Sequence, residues 1–434
     1  MKMAGYLKHR GPDGHGIFYQ NGVVLVHTRL EIEGKQIQPI KFDGGALVYN
    51  GEVYEQGDSQ AVLRAFQQGK MDELNGMFAV AVWDGKLHLY RDRFGIKPLY
   101  YTKIGQDFLF ASEVKAFLAH PGFRVEVDRD ALAEYWTFQN YLEPETTLFK
   151  GVRMVSPIKG VEAQRQYLVD VINNQRPSIS FGSYLSGGLD SGIISDTLKC
   201  PTFSVGFKGG DERSDAELLS SYIGTEHYQA YVTPQMSNDA LDDIVWHLEE
   251  PRMGPVHPNW YAAKLASKFH RVVFSGTGGD ELYGGYTWRY GVDREKFWKR
   301  LPAVVDQSKA IQKLHDLYDG VDDFEFERKT FLHGLLVAED KISMAHSLET
   351  RVPYLDNHLW PDRDIGKTKL RKMMRTICPP LADKPKQGFS AKDGSWFNYI
   401  SPKVYDYITP VQSSDRLYRW SLTYFSKWCD TWLQ

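Results

Sequence analysis

Cysteine is scarce in this chain: there are three in 434 residues, Cys200, Cys378 and Cys429. They are odd in number, scattered and without Cys-x-x-Cys spacing, which argues against a disulfide framework and a zinc cluster and makes the cytoplasm the expected compartment. Charge of one sign is also lacking. The formal net charge of −3 gives no electrostatic case for nucleic acid or an anionic membrane. No apolar run approaches a membrane span, and Met1-Lys2-Met3-Ala4-Gly5-Tyr6 has no signal-peptide core. Internal repeats and low-complexity tracts are absent. With 42% hydrophobic and 25% charged residues, the composition is that of a globular protein, and the length calls for two domains.

The two halves have different grammar. Up to about Gly122 the chain reads as β-rich. The runs Val23–Val26, Ala46–Tyr49 (ending at Asn50-Gly51), Met77–Trp83 and Lys86–Arg91 predict strands, and Ser59–Gln68 predicts a helix. Asp84-Gly85 between two such runs predicts a hairpin. From about Ser180, strands and helices alternate. Strands are expected at 179–185, 202–207, 228–232 and 271–274, with helices at 191–198, 215–223, 238–249 and 260–268. That order predicts a parallel sheet covered by helices, with ligands at the carboxyl ends of its strands. Past Gly285 the chain reads as mostly helical.

Two glycine-rich segments fall at such strand ends. In the first, Ser186-Gly187-Gly188-Leu189-Asp190-Ser191, glycines let the backbone approach a bulky anion and tolerate positive φ. The helix that follows aims unpaired N–H groups at that anion. Asp190 would repel a bare phosphate, so a Mg²⁺ between protein and phosphates is expected. No Lys follows the glycines, which excludes the GxxxxGK[ST] loop; the segment resembles the SGGxDS loop of enzymes that cleave ATP to AMP and pyrophosphate. The second, Ser275-Gly276-Thr277-Gly278-Gly279-Asp280-Glu281, offers Asp280 as partner to Asp190. Phe203–Phe207 ends a neighbouring strand where adenine could lie, or is simply a buried strand.

Leu185–Ser191, Ser275–Tyr286, Glu339–Asp356 and Lys384–Phe389 together resemble the asparagine synthetase family. His9–Asp13, His27–Leu30, Tyr49–Glu52 and Arg91–Tyr100 resemble its glutaminase domain, so the likeness covers nearly the whole chain in the family's order. The resemblance implies an α+β sandwich of the Ntn-hydrolase type, truncated, over residues 1–125. An α/β domain over 126–434 would follow, with a parallel sheet of the PP-loop (adenine-nucleotide α-hydrolase-like) type and a helical C-terminal part. It further implies that aspartate is adenylated by ATP and that ammonia, free or from glutamine, displaces AMP. ATP would lie on Leu185, Ser186, Gly187, Gly188, Asp190, Ser191, Val205, Gly206, Ser275 and Gly276, with Mg²⁺ on Asp190 and Asp280. Lys341 and Lys386 would serve the phosphates, and Glu349 with Arg351 would form an ordering ion pair. A homodimer stays open.

The same resemblance assigns Arg29 to the glutamine carboxylate, Asn50 and Gly51 to an oxyanion, and Glu52 and Asp92 to the substrate's amine. The bland alternative is that Asn50-Gly51 makes a turn and Arg29 pairs with Asp92. The family's nucleophile is a cysteine at the first mature position, whereas no cysteine precedes Cys200. The strand that carries it is expected to be missing, leaving an upstream start, free ammonia or another acceptor amine as explanations. Thr277 also departs from relatives that carry an acid there. An adenylating ligase of the β-lactam synthetase kind and a non-catalytic homologue are the alternatives.

Overall fold

The computed structural model describes residues 1–34, 37–54, 58–161, 164–207, 211–252, 256–299, 301–359, 365–385 and 397–433. The first half is built from antiparallel strands. β1 (Gly14–Gln20) and β2 (Val23–Arg29) form a hairpin around Asn21-Gly22, both at positive φ (51° and 80°), the backbone that a two-residue hairpin turn requires. β3 (Ile40–Phe42), β4 (Gly45–Val53), β5 (Gly76–Trp83) and β6 (Leu87–Arg91) make a sheet in that order, and Asp84-Gly85 turns β5 into β6 as expected. Alternation along β4 divides its two faces. Ala46 and Val48 pack under Leu25 of the hairpin, while Leu47, Tyr49 and Val53 pack on Val62 of the helix Asp58–Gln67. One expectation is corrected: β4 does not end in a turn at Asn50-Gly51 but runs through it, Gly51 pairing with Phe78. Gly51 has φ 126°, and a Cβ there would collide with the Met77 carbonyl, so only glycine continues this strand.

β7 (Tyr100–Ile104) and β8 (Asp107–Ala111) form a second antiparallel group that β9 (Val152–Met154) joins, so sheet pairing runs across the 125/126 junction. The second half carries a parallel five-stranded sheet. Its strands are β10 (Gly182–Tyr184), β11 (Thr202–Phe207), β12 (His227–Val232), β13 (Val272–Phe274) and β14 (Glu349–Arg351), in the order β12-β11-β10-β13-β14. β10 is shorter than its apolar run. The expected helix 238–249 is split into Pro234–Asp239 and Leu241–Leu248. Strand order reverses between β10 and β13, which makes a crevice at their carboxyl ends. Among the described residues no helix is long and apolar enough to cross a membrane.

Charged residues fill the junction between the halves. Arg10 Nη1 lies 2.9 Å from Glu113 Oε1 and its Nη2 2.8 Å from Asp340 Oδ2, while Asp340 Oδ1 meets Lys97 Nζ at 3.2 Å. Lys115 joins Glu113 to Glu249, and Lys341 Nζ reaches Glu249 Oε2 at 2.7 Å. Glu249 also accepts the backbone N–H groups of Val114 and Lys115, at 2.9 and 2.7 Å. Burial would push the Glu113 carboxyl up, yet Lys115, His9 and Arg10 hold it well below the usual range. Removing one member leaves an uncompensated buried charge. Glu249→Ala is therefore expected to cost about 3–5 kcal/mol in urea unfolding, and a loss under about 1 kcal/mol would contradict that reading.

Burial also holds several imidazoles neutral, among them His247, pushed down to about 3 with Lys115 and His9 adding to the effect, and His257 and His346, each pushed down to about 4. As pH falls from 6.5, the unfolded chain binds protons that the folded chain refuses. Stability is fully retained above 6.5 and is expected to fall toward pH 4 by up to about 1.4 kcal/mol per pH unit for each imidazole. Urea titrations across this range check it, with His257→Gln expected to flatten the slope.

Candidate active site

The two glycine loops leave adjacent parallel strands, β10 and β13, on either side of the reversal in strand order. Ser186 N–H donates to Ser191 Oγ at 3.2 Å, and Gly188 N–H to Ser186 Oγ at 3.3 Å, which folds the first loop back on its helix. Gly187 sits at φ 76°, and a Cβ on it would fall 2.5 Å from Asp215 Cβ, so glycine is needed on both counts. Gly188 is exposed at the start of the helix Leu189–Leu198, which no side chain caps, leaving first-turn N–H groups for an anion.

The second loop packs directly on the first. A Cβ on Gly276 would lie 2.9 Å from Asp190 Cβ, and one on Gly279 would lie 2.6 Å from Asp190 Oδ1. Their absence lets the Asp190 carboxylate reach across to Asp280. Lys367 Nζ lies between the two, 2.5 Å from Asp190 Oδ2 and in contact with Asp280 Oδ1, its side chain 5% exposed. Tyr354 fixes the loop by donating to the Asp190 carbonyl at 3.2 Å. Beside Asp280, burial and the Asp280 charge push Glu281 up to about 7, while the Tyr286 hydroxyl donates to it at 2.8 Å.

These residues fit a divalent cation. Two carboxylates converge on one point already taken by a positive group, at the mouth of an anion-accepting loop. Among the described residues no set of three or more His, Cys, Asp or Glu ligands converges, so an ion here would rest on Asp190, Asp280 and the phosphates.

The remaining expected site residues divide. Leu185 and Val205 are buried in the core, and Gly206 lies under the Asp211–Arg213 ion pair. Lys341 is corrected: its ammonium is bound to Glu249 and the Leu248 carbonyl over the Tyr100 ring, inside the junction and committed to structure. Lys386 lies outside the described residues, although Lys384 Nζ contacts Asp215, the neighbour of Gly187. Asp92 is corrected likewise. It is fully buried and accepts the N–H groups of Phe78, Phe94, Ile96 and Lys97, which organise the turn after β6. Glu52 pairs with Arg351 at 3.2 Å, and the expected Glu349–Arg351 pair is present at 3.2 Å. Arg29 turns to Glu31 and the Gly34 carbonyl, not to Asp92. Asn50 Nδ2 is buried with no hydrogen-bond partner among the described residues. Lys367 escaped the sequence reading. Nothing local distinguishes Lys367 from Lys369; only its left-handed backbone, φ 58°, turns it to the loops.

A doubly wound parallel sheet with two facing glycine–carboxylate loops at its switch point defines an α/β domain suited to binding a nucleotide. Residues 165–421 match the asparagine synthase family model, and residues 1–170 match that of a glutamine amidotransferase domain. The chain belongs to the asparagine synthase family of carbon–nitrogen ligases, whose members use ATP. Asparagine synthetase [glutamine-hydrolyzing] 3 of Bacillus subtilis is 29% identical over 470 residues, covering 82% of this chain and 76% of that protein. Asparagine synthetase [glutamine-hydrolyzing] 1 of the same organism is 29% identical over 550 residues, covering 95% and 87%. Asparagine synthetase B [glutamine-hydrolyzing] of Escherichia coli is 26% identical over 472 residues, covering 92% and 80%.

Removing the Lys367 ammonium would leave two buried carboxylates facing each other. Lys367→Met is expected to lower the stability of the ligand-free protein by about 3–5 kcal/mol in urea unfolding. Asp190→Asn in the same chain should recover part of the loss, and strict additivity of the two changes would show that the groups are not coupled.

Proposed function

We propose that this protein converts aspartate to asparagine through an aspartyl-adenylate. The observation that carries the reading is the contact of the two glycine loops, which sets Asp190 and Asp280 against one cation beside a helix N-terminus. In the first step an oxygen of the aspartate side-chain carboxylate attacks the α-phosphorus of ATP, and the bond to the bridging oxygen breaks, releasing pyrophosphate. In the second, ammonia attacks the acyl carbon and AMP leaves. Both partners of the first step are anionic, so the protein must neutralise charge where they meet. Asp190 and Asp280 would hold Mg²⁺, which supplies that neutralisation when bound. Ser186–Gly188, Ser191, Ser275 and Gly276 offer backbone and hydroxyl donors to the phosphates, and Lys386 is assigned to them from its motif. Val205 and Gly206 would border the adenine.

The nitrogen is ammonia, either free or released from glutamine. Arg29, Asn50 and Gly51 are the residues assigned to glutamine, and the unpartnered Asn50 amide supports an oxyanion site there. A second reading, ring closure by an internal amine, draws on Thr277; pyrophosphate exchange with other carboxylates but not aspartate would favour it.

Purified protein with aspartate, Mg-ATP and ammonium is expected to yield AMP, pyrophosphate and asparagine in equal amounts. Pyrophosphate release that ignores aspartate would falsify the reading. Asp190→Asn is expected to slow aspartate-dependent pyrophosphate release by about 10²-fold or more and to weaken Mg-ATP binding in calorimetry. Arg29→Ala should leave ammonium-dependent synthesis intact.

A further inference from the structure

Arg371, one turn into the helix Thr368–Ile377, directs its guanidinium at three backbone carbonyls. Its Nε donates to Gly366, just before that helix, at 2.9 Å. Its Nη1 donates to Ala382 at 2.8 Å and to Lys384 at 3.3 Å, at and beyond the end of the next helix, Pro379–Ala382. Carbonyls at a helix end lack intrahelical partners, and a cationic donor suits them. One planar fork thus joins the turn that enters the first helix to the turn that leaves the second.

Each of these turns carries a lysine that reaches the first glycine loop. Gly366 and Lys367 are both left-handed, with φ 92° and 58°, and Gly366 N–H donates to the Gly284 carbonyl at 2.9 Å. The Lys367 stem passes Gly285, where a Cβ would fall 2.5 Å from Lys367 Cε, and its ammonium meets Asp190 and Asp280. Lys384 Nζ contacts Asp215, and Asp215 packs so closely on the loop that a Cβ on Gly187 would lie 2.5 Å from its own. Gly187 opens the loop and Asp190 closes it, so one ammonium stands at each end. A lysine stem is flexible, and where its ammonium rests depends on where its turn is fixed.

We propose that Arg371 is a positioning residue that sets the Lys367 and Lys384 ammoniums at the two ends of the first glycine loop, where they receive the pyrophosphate portion of ATP. The assignment rests on the reading of that loop as the ATP site. When the bond from the α-phosphorus to the bridging oxygen breaks, its electron pair leaves with the pyrophosphate. Cations already fixed beside that oxygen and its neighbours stabilise the charge as it develops. Arg371 faces backbone, so it acts through the two lysines. A misplacement of about 1 Å in such groups is enough to cost about 10²-fold in rate. Lysine is no substitute at this position, because a single ammonium does not span both turns as the fork does.

Calorimetry on the parent and on Arg371→Ala measures the binding of inorganic pyrophosphate with Mg²⁺ and, separately, of AMP. Pyrophosphate affinity is expected to fall by about tenfold or more while AMP affinity stays within about twofold, because AMP lacks the portion that the lysines receive. In aspartate-dependent pyrophosphate release, kcat is expected to fall by about 10²-fold while KM for aspartate changes by less than about threefold. Combining Arg371→Ala with Lys384→Met should cost less affinity than the product of the two single losses. Equal losses for pyrophosphate and AMP, unchanged pyrophosphate affinity, or independent effects of the two substitutions would each overturn the proposal. Thermal unfolding shows whether Arg371→Ala keeps its fold; if it does not, Arg371→Lys, which keeps the charge and reaches one turn, is expected to show the same selective loss of pyrophosphate at smaller size. A parent that binds neither Mg-ATP nor pyrophosphate fails at the earlier reading, and the Arg371 assignment falls with it. A parent that binds both leaves that reading standing whatever the Arg371 variants show.

Discussion

Glu249 is one carboxylate shared by two fully buried lysines, and the way the two halves meet depends on it. Lys115 arrives from the first half and Lys341 from the long helix of the second, and Glu249 also takes two backbone N–H groups from the segment that carries Lys115. Its own backbone is held in an uncommon left-handed turn, φ 69°, where the Trp428 indole N–H donates to its carbonyl at 2.5 Å. Each buried charge is tolerable only because the others are in place, so the junction is specified more sharply than an apolar surface of equal area would be. That matters for the site. Asp340 and Lys341 lie on one helix, and the charges they meet at the junction hold it where it packs against β14, the strand beside β13.

Strand order does the next part. β10 and β13 are far apart in sequence and adjacent in the sheet, and the chain leaves both at the same edge. Two loops that each carry a glycine run and an aspartate are thereby superposed. Glycines at 276 and 279 then allow contact that any side chain would block. No single loop makes the site; the parallel sheet does, by bringing two strand ends within reach.

Much of this was legible. Hydrophobic runs placed β11, β12 and the hairpin at Asp84-Gly85, and the glycine–aspartate spacing marked both loops. Where local signals misled, tertiary partners had decided. Asn50-Gly51 carries a turn composition but lies inside β4, because β5 supplies a pairing partner on that side. Lys341 sits in a motif shared with ligand-binding segments, yet its fate was settled by Glu249, ninety-odd residues away and silent in any local window. Lys367 was missed for the converse reason: a lysine ahead of a basic helix reads as solvated surface unless the two carboxylates that face it are known to be close.

Asp92 and Asp190 show how such residues divide into scaffold and site. Both are buried aspartates beside a glycine turn. The oxygens of Asp92 are held by backbone N–H groups of its own loop, donors that cannot leave without unmaking the turn. Asp190 and Asp280 are instead held by an ammonium on a flexible four-carbon stem. On the function proposed above, a cation would displace that group without unmaking a backbone turn, and the freed ammonium would turn to the phosphates that accompany it. Burial alone does not mark a carboxylate as functional. What separates the two is whether the partner is fixed in the backbone or able to exchange, and that distinction lies in the identity of the donor.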